Sequence, residues 1–251
     1  MKIFVEQKNI QGELINISND DWHHLTKVLR ARAGDEVIAC DGEFDYICQL
    51  SAVSCQLEVV SKKKCEAENK THITIFQGVP KQAKMETIIA MCSELGVNRI
   101  VPFESEFCVA SLPDDKKLTR WRKIALESAK QCGRDRVLDI AAGVSFDAAV
   151  AMAKELDLSF VCYEGEKDTR LGDIVGDAAF GVPQNETTPP ATQAPLRRRG
   201  IGIFIGSEGG FTEAEIERAG LPTVSLGKRI LRTQTVAPVV SAIVLNIMGE
   251  I

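Results

Sequence analysis

No apolar run in this 251-residue chain approaches the length needed to cross a membrane as a helix. Its opening, Met1-Lys2-Ile3-Phe4-Val5 followed by Glu6, lacks the pattern of a signal peptide, so a cytoplasmic location is expected. No C-x-x-C pair occurs: the eight cysteines, at positions 40, 48, 55, 65, 92, 108, 132 and 162, stand singly. Histidine is scarce, with only His23, His24 and His72. Neither a disulfide framework nor a metal site is expected, and buried free thiols are the simpler account. Two glycine signatures are missing as well. No Lys-Ser or Lys-Thr follows a glycine turn at phosphate-loop spacing, and the glycines never fall as G-x-G-x-x-G. There is no internal repeat.

An excess of positive charge is also absent. The 30 Lys and Arg against 35 Asp and Glu give a net charge of -5, which argues against a chain that coats itself in nucleic acid. A local basic face remains open, because affinity depends on where charges lie. The clusters are Lys27-Arg30-Arg32, Lys62-Lys63-Lys64, Lys116-Lys117 with Arg120-Arg122-Lys123, and Lys228-Arg229-Arg232. The first and last flank glycine turns and are the ones to place on RNA.

What is present is an ordinary globular composition, 45% hydrophobic and 26% charged, sufficient for one large or two modest domains. Residues 1–67 read as a small β-rich unit. Asp20 or Asp21 caps a helix running to Leu29, and short strands are expected at 36–40, 46–54 and 56–60. The charged run 62–70 reads as a linker. From His72 the pattern becomes alternating strands and helices. Strands are expected at 73–78, 99–103, 138–142 and 158–163, and helices at 84–95, 114–132 and 146–156. The 114–132 helix carries Leu118, Trp121, Ala125, Ala129 and Cys132 on one stripe. This alternation predicts an α/β domain, a mostly parallel sheet with helices on both faces. Residues 181–200, with four prolines among Asn, Thr and Gln, read as a flexible insertion.

The last fifth is the most informative. Residues 201–205 read as a buried strand ending in Gly206-Ser207-Glu208-Gly209-Gly210. Thr212 with Glu215 forms a capping box, so a helix starts at Glu213 and stops near Gly220. A second glycine turn, Ser225-Leu226-Gly227, precedes Lys228-Arg229-Ile230-Leu231-Arg232-Thr233-Gln234-Thr235. Glycines at strand ends permit close backbone approach to a ligand, although a tight turn alone needs them too. The final helix, 235–248, is apolar on nearly every face and must be buried all round, in a core or against a partner subunit.

The segments GSEGGFTEAEIE and VSLGKRILRTQT resemble the signature of the SPOUT-class methyltransferase family that modifies N3 of a uridine in small-subunit 16S rRNA. Upstream, His23-His24-Leu25 with Val28-Leu29-Arg30 and Gly34-Asp35 resembles the family's N-terminal motif. Lys81, Lys84 and Glu94-Leu95-Gly96-Val97 resemble the central one, and Gln131-Cys132-Gly133-Arg134 a third. Ser207 stands where the family usually has proline, and Gln234 where it usually has glutamate. The resemblance implies a PUA-like RNA-binding β-barrel over 1–67 and a trefoil-knotted SPOUT domain over 72–251. It also implies a homodimer built on the C-terminal region.

It further implies S-adenosylmethionine as cofactor and 16S rRNA, within the small ribosomal subunit, as partner. The implied cofactor residues are Gly206, Ser207, Glu208, Gly209, Gly210, Leu226, Gly227, Ile230, Leu231 and Thr233. Arg232 and Gln234 are the implied catalytic pair, and Lys27, Arg30, Lys81, Arg134 and Arg229 the implied RNA contacts. Arg232 cannot serve as a base because guanidinium stays protonated, but it can stabilise charge developing on uracil oxygens. His23, His24 and Glu208 are the candidate proton acceptors. The residues alone leave two other readings open: a Rossmann-like nucleotide-binding enzyme, and a non-catalytic RNA-binding or ribosome-assembly module.

Overall fold

Alternating apolar residues dominate the start of the chain, and the computed structural model turns them into a curled sheet. The structure describes residues 2–53, 55–180 and 200–251, and the side chains of 177–180 are outside that description. The chain forms two units, Met1–Glu68 with Leu126–Val137, and Asn69–Ala125 with Leu138–Ile251. The expected insertion at 181–200 lies, Gly200 apart, outside the described residues.

The first unit contains β1 (Lys2–Phe4), β2 (Ile10–Gln11), β3 (Leu14–Asn16), α1 (Asn19–His23), β4 (Glu36–Cys40), β5 (Phe44–Leu50) and β6 (Gln56–Lys64), in spatial order β1-β4-β5-β6-β3-β2. Inward residues Ile3, Ile15, Leu25, Val37, Ala39, Cys48, Leu50 and Leu57 form its core. Three expectations are corrected here. The helix cap is Ser18, whose hydroxyl accepts from the Asp21 amide, rather than Asp20 or Asp21. The helix then continues as a π turn over His24–Val28. Lys62, Lys63 and Lys64 belong to β6 rather than to a linker, because they pair with Tyr46, Asp45 and Phe44 and leave their side chains exposed.

The second unit contains β7 (Ile73–Gly78), α2 (Lys84–Glu94), β8 (Arg99–Glu104), α3 (Asp115–Cys132), β9 (Asp139–Ile140), β10 (Val144–Ser145), α4 (Phe146–Ala153), β11 (Leu158–Cys162), α5 (Leu171–Phe180), β12 (Ile201–Ile205), α6 (Glu213–Ala219), β13 (Thr223–Val224) and α7 (Thr233–Ile247). Helix α3 gives its residues to 125 to this unit and the rest to the first. The sheet runs β10-β8-β7-β12-β11-β13, with β9 also on β8, and each of its ladders is parallel. Helices lie on both faces, as a parallel sheet requires. One face is filled by Phe76, Phe103, Phe146, Phe204 and Phe211. Phe76 and Phe204, neighbours in register, stack at 4.5 Å between ring centroids.

Two helices differ from expectation. Leu118, Trp121, Ala125 and Ala129 of α3 are buried, but Cys132 in its last turn is exposed. Helix α7 is buried on one stripe only, Thr233, Val236, Ala237, Val240, Ser241, Val244 and Leu245. Val239 and Ala242 are half-buried and Ile243 is 40% exposed, so the helix is not enclosed all round within one chain. Among the described residues no helix is long and apolar enough to cross a membrane.

Candidate functional site

Strand β12 delivers the first glycine turn at its carboxyl end, and the turn closes on itself. Ser207 and Gly210 form an isolated bridge, and Gly210 has φ +68°. A Cβ on Gly206 would lie 2.9 Å from the Gly210 Cα, and one on Gly209 would lie 2.6 Å from the Phe107 Cβ. The Ser207 hydroxyl donates to the Phe107 carbonyl and accepts from the Gly209 amide, both at 3.4 Å. These glycines are therefore required by protein packing. At Gly209, one of the implied cofactor residues, the reading of glycine as room for a ligand is corrected, because a side chain there would strike Phe107 first.

Glu208 is also committed to structure. Its carboxylate accepts from the Lys84 ammonium at 2.7 Å and from the Lys81 amide at 3.1 Å. Partial burial alone would raise its pKa, but the Lys84 bond and the backbone amides outweigh it, and the net shift is downward. A carboxylate held ionised in this way is a weaker base, so Glu208 is withdrawn as proton acceptor.

The second glycine turn opens onto a cleft. Gly227 has φ +107° and nothing within 4 Å of where a Cβ would stand. The cleft has about 540 Å³ of empty space, part of it continuous with solvent. Its walls are Cys162 at the end of β11, Tyr163 and Glu164 after it, the run from Val224 to Leu231, and Val236 of α7. Parallel pairing makes this convergence, because Cys162 is in register with both Ile205 of β12 and Val224 of β13. Carboxyl ends of parallel strands are where such sheets bind ligands. Burial pushes the Cys162 thiol up to about 12, so it is a neutral wall group rather than a nucleophile.

Leu226, Gly227, Arg229, Ile230 and Leu231 thus line one cavity, whereas Gly206 to Gly210 and Thr233 do not. Ile230 is 85% exposed, which excludes core packing as its role. Thr233 is buried in the first turn of α7 and connects the two regions. Its hydroxyl donates to the Gly206 carbonyl at 2.7 Å and accepts from Gln77 Nε2 at 3.0 Å. Arg232 is the exposed N-cap of α7. Gln234 follows, half-buried, with its Oε1 buried and unpaired. Cys162, Tyr163, Glu164 and Val236 were not singled out from sequence. The one local signal for the first three was their place at the end of a predicted strand.

The basic candidates divide. Lys81 and Arg229 have exposed side chains in the second unit, and Lys27 and Arg30 in the first. Arg30 ends the α1 segment in the left-handed region, φ 58°. Arg134 is corrected: it is 4% exposed, and its guanidinium grips the Glu68 carboxylate through Nη2 at 2.6 Å and Nε at 3.1 Å. Glu68 also accepts from the Asp135 and Arg136 amides. A bidentate buried pair of this kind fixes chain geometry and leaves Arg134 nothing to present to a phosphate. His23 and His24 lie in the first unit and do not line the cleft.

Residues 67–245 match the RNA methyltransferase domain family, and residues 17–60 match the RNA methyltransferase PUA domain. The chain belongs to the RNA methyltransferase family. Within it, the chain is 31% identical over 250 residues to Ribosomal RNA small subunit methyltransferase E of Bacillus subtilis, covering 93% of this chain and 91% of that one. The corresponding protein of Mesomycoplasma hyopneumoniae is 30% identical, with 94% and 95% covered. A Legionella pneumophila methyltransferase solved with bound cofactor SAM is 25% identical, has a TM-score of 0.78 and covers 98% of this chain and 96% of its own. The family fold, a PUA-like barrel followed by a SPOUT-type α/β domain, is the fold of this chain.

Proposed function

We propose that this RNA methyltransferase transfers the methyl group of S-adenosylmethionine to N3 of one uridine in small-subunit 16S rRNA. The observation that carries the reading is the cleft over Gly227, where backbone in a left-handed conformation faces space that any side chain would fill. Leu226, Gly227, Ile230 and Leu231 would hold the cofactor by main-chain groups and apolar contacts. The cofactor supplies an activated methyl on a sulfonium, so the protein's task is alignment. Gly206 to Gly210 and Thr233 act as scaffold, tying the end of β12 to the start of α7. The names of the Bacillus and Mesomycoplasma relatives support ribosomal RNA as substrate, and the ligand of the Legionella protein supports the cofactor.

Uracil N3 lies on the Watson–Crick edge, so the target base must be unpaired and must lose its N3 proton. Arg232, exposed at the head of α7, is suited to stabilise the charge left on the uracil oxygens. Gln234, half-buried two residues on, orients the base edge through its side-chain amide, which can donate to a uracil oxygen. Lys81 and Arg229, with Lys27 and Arg30 of the barrel, contact RNA backbone. In this reading residues 1–67 serve RNA binding and 72–251 methyl transfer, in a cytoplasmic homodimer that covers Val239 and Ile243 of α7. Deleting the gene and mapping 16S rRNA by mass spectrometry tests the substrate. Loss of a single 3-methyluridine, restored by wild type but not by Gly227→Val, is expected, and an unchanged 16S rRNA refutes the assignment.

A further inference from the structure

We propose that Cys40, Asp45, Cys65 and Asp135, in the first unit, form a binding site for a thiophilic divalent cation, zinc by its ligand set, with Lys2 as competitor for the same position. In sequence the two cysteines are 25 residues apart and carry no metal spacing, which is why none was expected. Folding joins them. Cys40 ends β4 in register with Asp45 of β5, Cys65 directly follows β6, and Asp135 comes from the segment after α3 that packs in the same unit. One ligand atom from each of the four lies within 4.8 Å of all the others.

Two of the ligand spacings match those of a tetrahedral centre. Zinc bonds of about 2.3 Å to sulfur and about 2.0 Å to oxygen separate two sulfurs by about 3.8 Å, and sulfur from oxygen by about 3.5 Å. Here Cys40 and Cys65 Sγ are 3.6 Å apart, and Cys65 Sγ is 3.7 Å from Asp45 Oδ1. Two thiolates with two carboxylates suit zinc better than a hard cation such as magnesium or calcium. The Lys2 ammonium holds Asp45 Oδ1 at 2.8 Å and also Asp135 Oδ1, which places a positive charge where the ion would be. An adjoining cleft open to solvent, lined by Lys2, Asp45, Glu66, Lys130 and Asp135 among others, supplies an entry path and room for the displaced Lys2 side chain. On binding, two Zn–S and two Zn–O bonds form, the two thiol protons pass to buffer, and Lys2 leaves still protonated.

The test uses the full chain, reduced and stripped by chelator, titrated with cobalt(II) and then zinc. One equivalent of cobalt is expected to give sulfur-to-cobalt charge-transfer and tetrahedral ligand-field bands, which zinc bleaches. Cys40→Ser and Cys65→Ser should each lose the charge-transfer intensity or the binding. Lys2→Met should tighten zinc binding by about tenfold or more, because no ammonium held by two carboxylates has to be displaced. Should the serine variants misfold, wild type still decides: zinc should slow alkylation of half-buried Cys65 and leave exposed Cys132 unchanged. The site is overturned if wild type gives no sulfur-to-cobalt band, even if Lys2→Met does, or if zinc leaves the Cys65 alkylation rate unaltered.

Discussion

Thr233→Val replaces one hydroxyl with a methyl of almost the same shape, at the junction of the first glycine turn with helix α7. The hydroxyl makes two buried bonds, to the Gly206 carbonyl at 2.7 Å and from Gln77 Nε2 at 3.0 Å. Leaving a buried group unpaired costs about 1–3 kcal/mol. Both partners keep a fallback, Gln77 Nε2 to Gly78 O at 3.0 Å and to Gly206 O at 3.4 Å. The loss should therefore sit at the low end for each, about 2 kcal/mol in all, or roughly 4–8 °C in melting temperature for a chain of this size. Urea unfolding followed by the buried Trp121, in a Trp22→Phe background, reads the second unit selectively. Thr233→Ser should stay near wild type. The reasoning is refuted if Thr233→Val lies within about 0.5 kcal/mol of its parent, or if serine is as damaging as valine.

Gly227→Val should abolish S-adenosylmethionine binding by calorimetry and lower the melting temperature only by the backbone strain of a side chain at φ +107°, whereas Gly209→Val should lower it because its side chain meets Phe107, with cofactor affinity kept in the fraction that stays folded. The opposite pattern would exchange the roles of the two turns. Arg232→Ala should keep cofactor affinity and lower turnover, so equal loss of both would place Arg232 in the cofactor site. Val239→Glu or Ile243→Glu should convert a dimer to a folded monomer in sedimentation, while Val240→Glu should unfold the chain, since Val240 is fully buried within one subunit. A wild-type monomer at 27.4 kDa would end the dimer proposal. Glu166, bonded by the Thr223 hydroxyl and by the amides of Thr169, Asp168 and Lys167, has its pKa lowered from 4.5 to about 2. A depressed carboxylate stabilises fully above 4.5, and that contribution is lost as pH falls through about 2. Glu166→Gln should therefore flatten the fall in melting temperature over that window, and an unchanged slope would mean the loop does not depend on this carboxylate.

Features written in a few adjacent residues were legible in the sequence. Strand Ile201–Ile205, the Thr212–Glu215 capping box and the left-handed Gly220 all follow from local side chains and backbone freedom. Strands β1, β2 and β3 have only two or three residues, too few to display a period, and were missed. Helix α5 went unread because its pattern runs straight into residues 181–199. The charge of Lys62, Lys63 and Lys64 hid a strand, because an exposed face tolerates lysine wherever the backbone finds a partner. The candidate site was half legible. Leu226 to Leu231 share one loop and could be read together, but Cys162 to Glu164 join them only once β11 pairs with both β12 and β13. Arg134 read as an RNA contact because its partner, Glu68, is distant in sequence and invisible to local pattern.

The place of β12 in the sheet has a consequence for synthesis. It pairs with β7 on one side and β11 on the other, yet it is made after both, at residues 201–205 against 73–78 and 158–162. Until it leaves the ribosome, the nascent domain holds one part-sheet, β10-β8-β7, whose β7 edge is unsatisfied, and a β11 strand whose partners β12 and β13 are both still to come, apolar edges of the sort that invite aggregation. Closing that gap is a long-range parallel pairing, the slow class of folding event. The α/β unit should therefore fold late and all at once. A ribosome stalled before residue 201 should carry a chain that binds chaperones and is readily cleaved by protease, even where the barrel unit is already resistant.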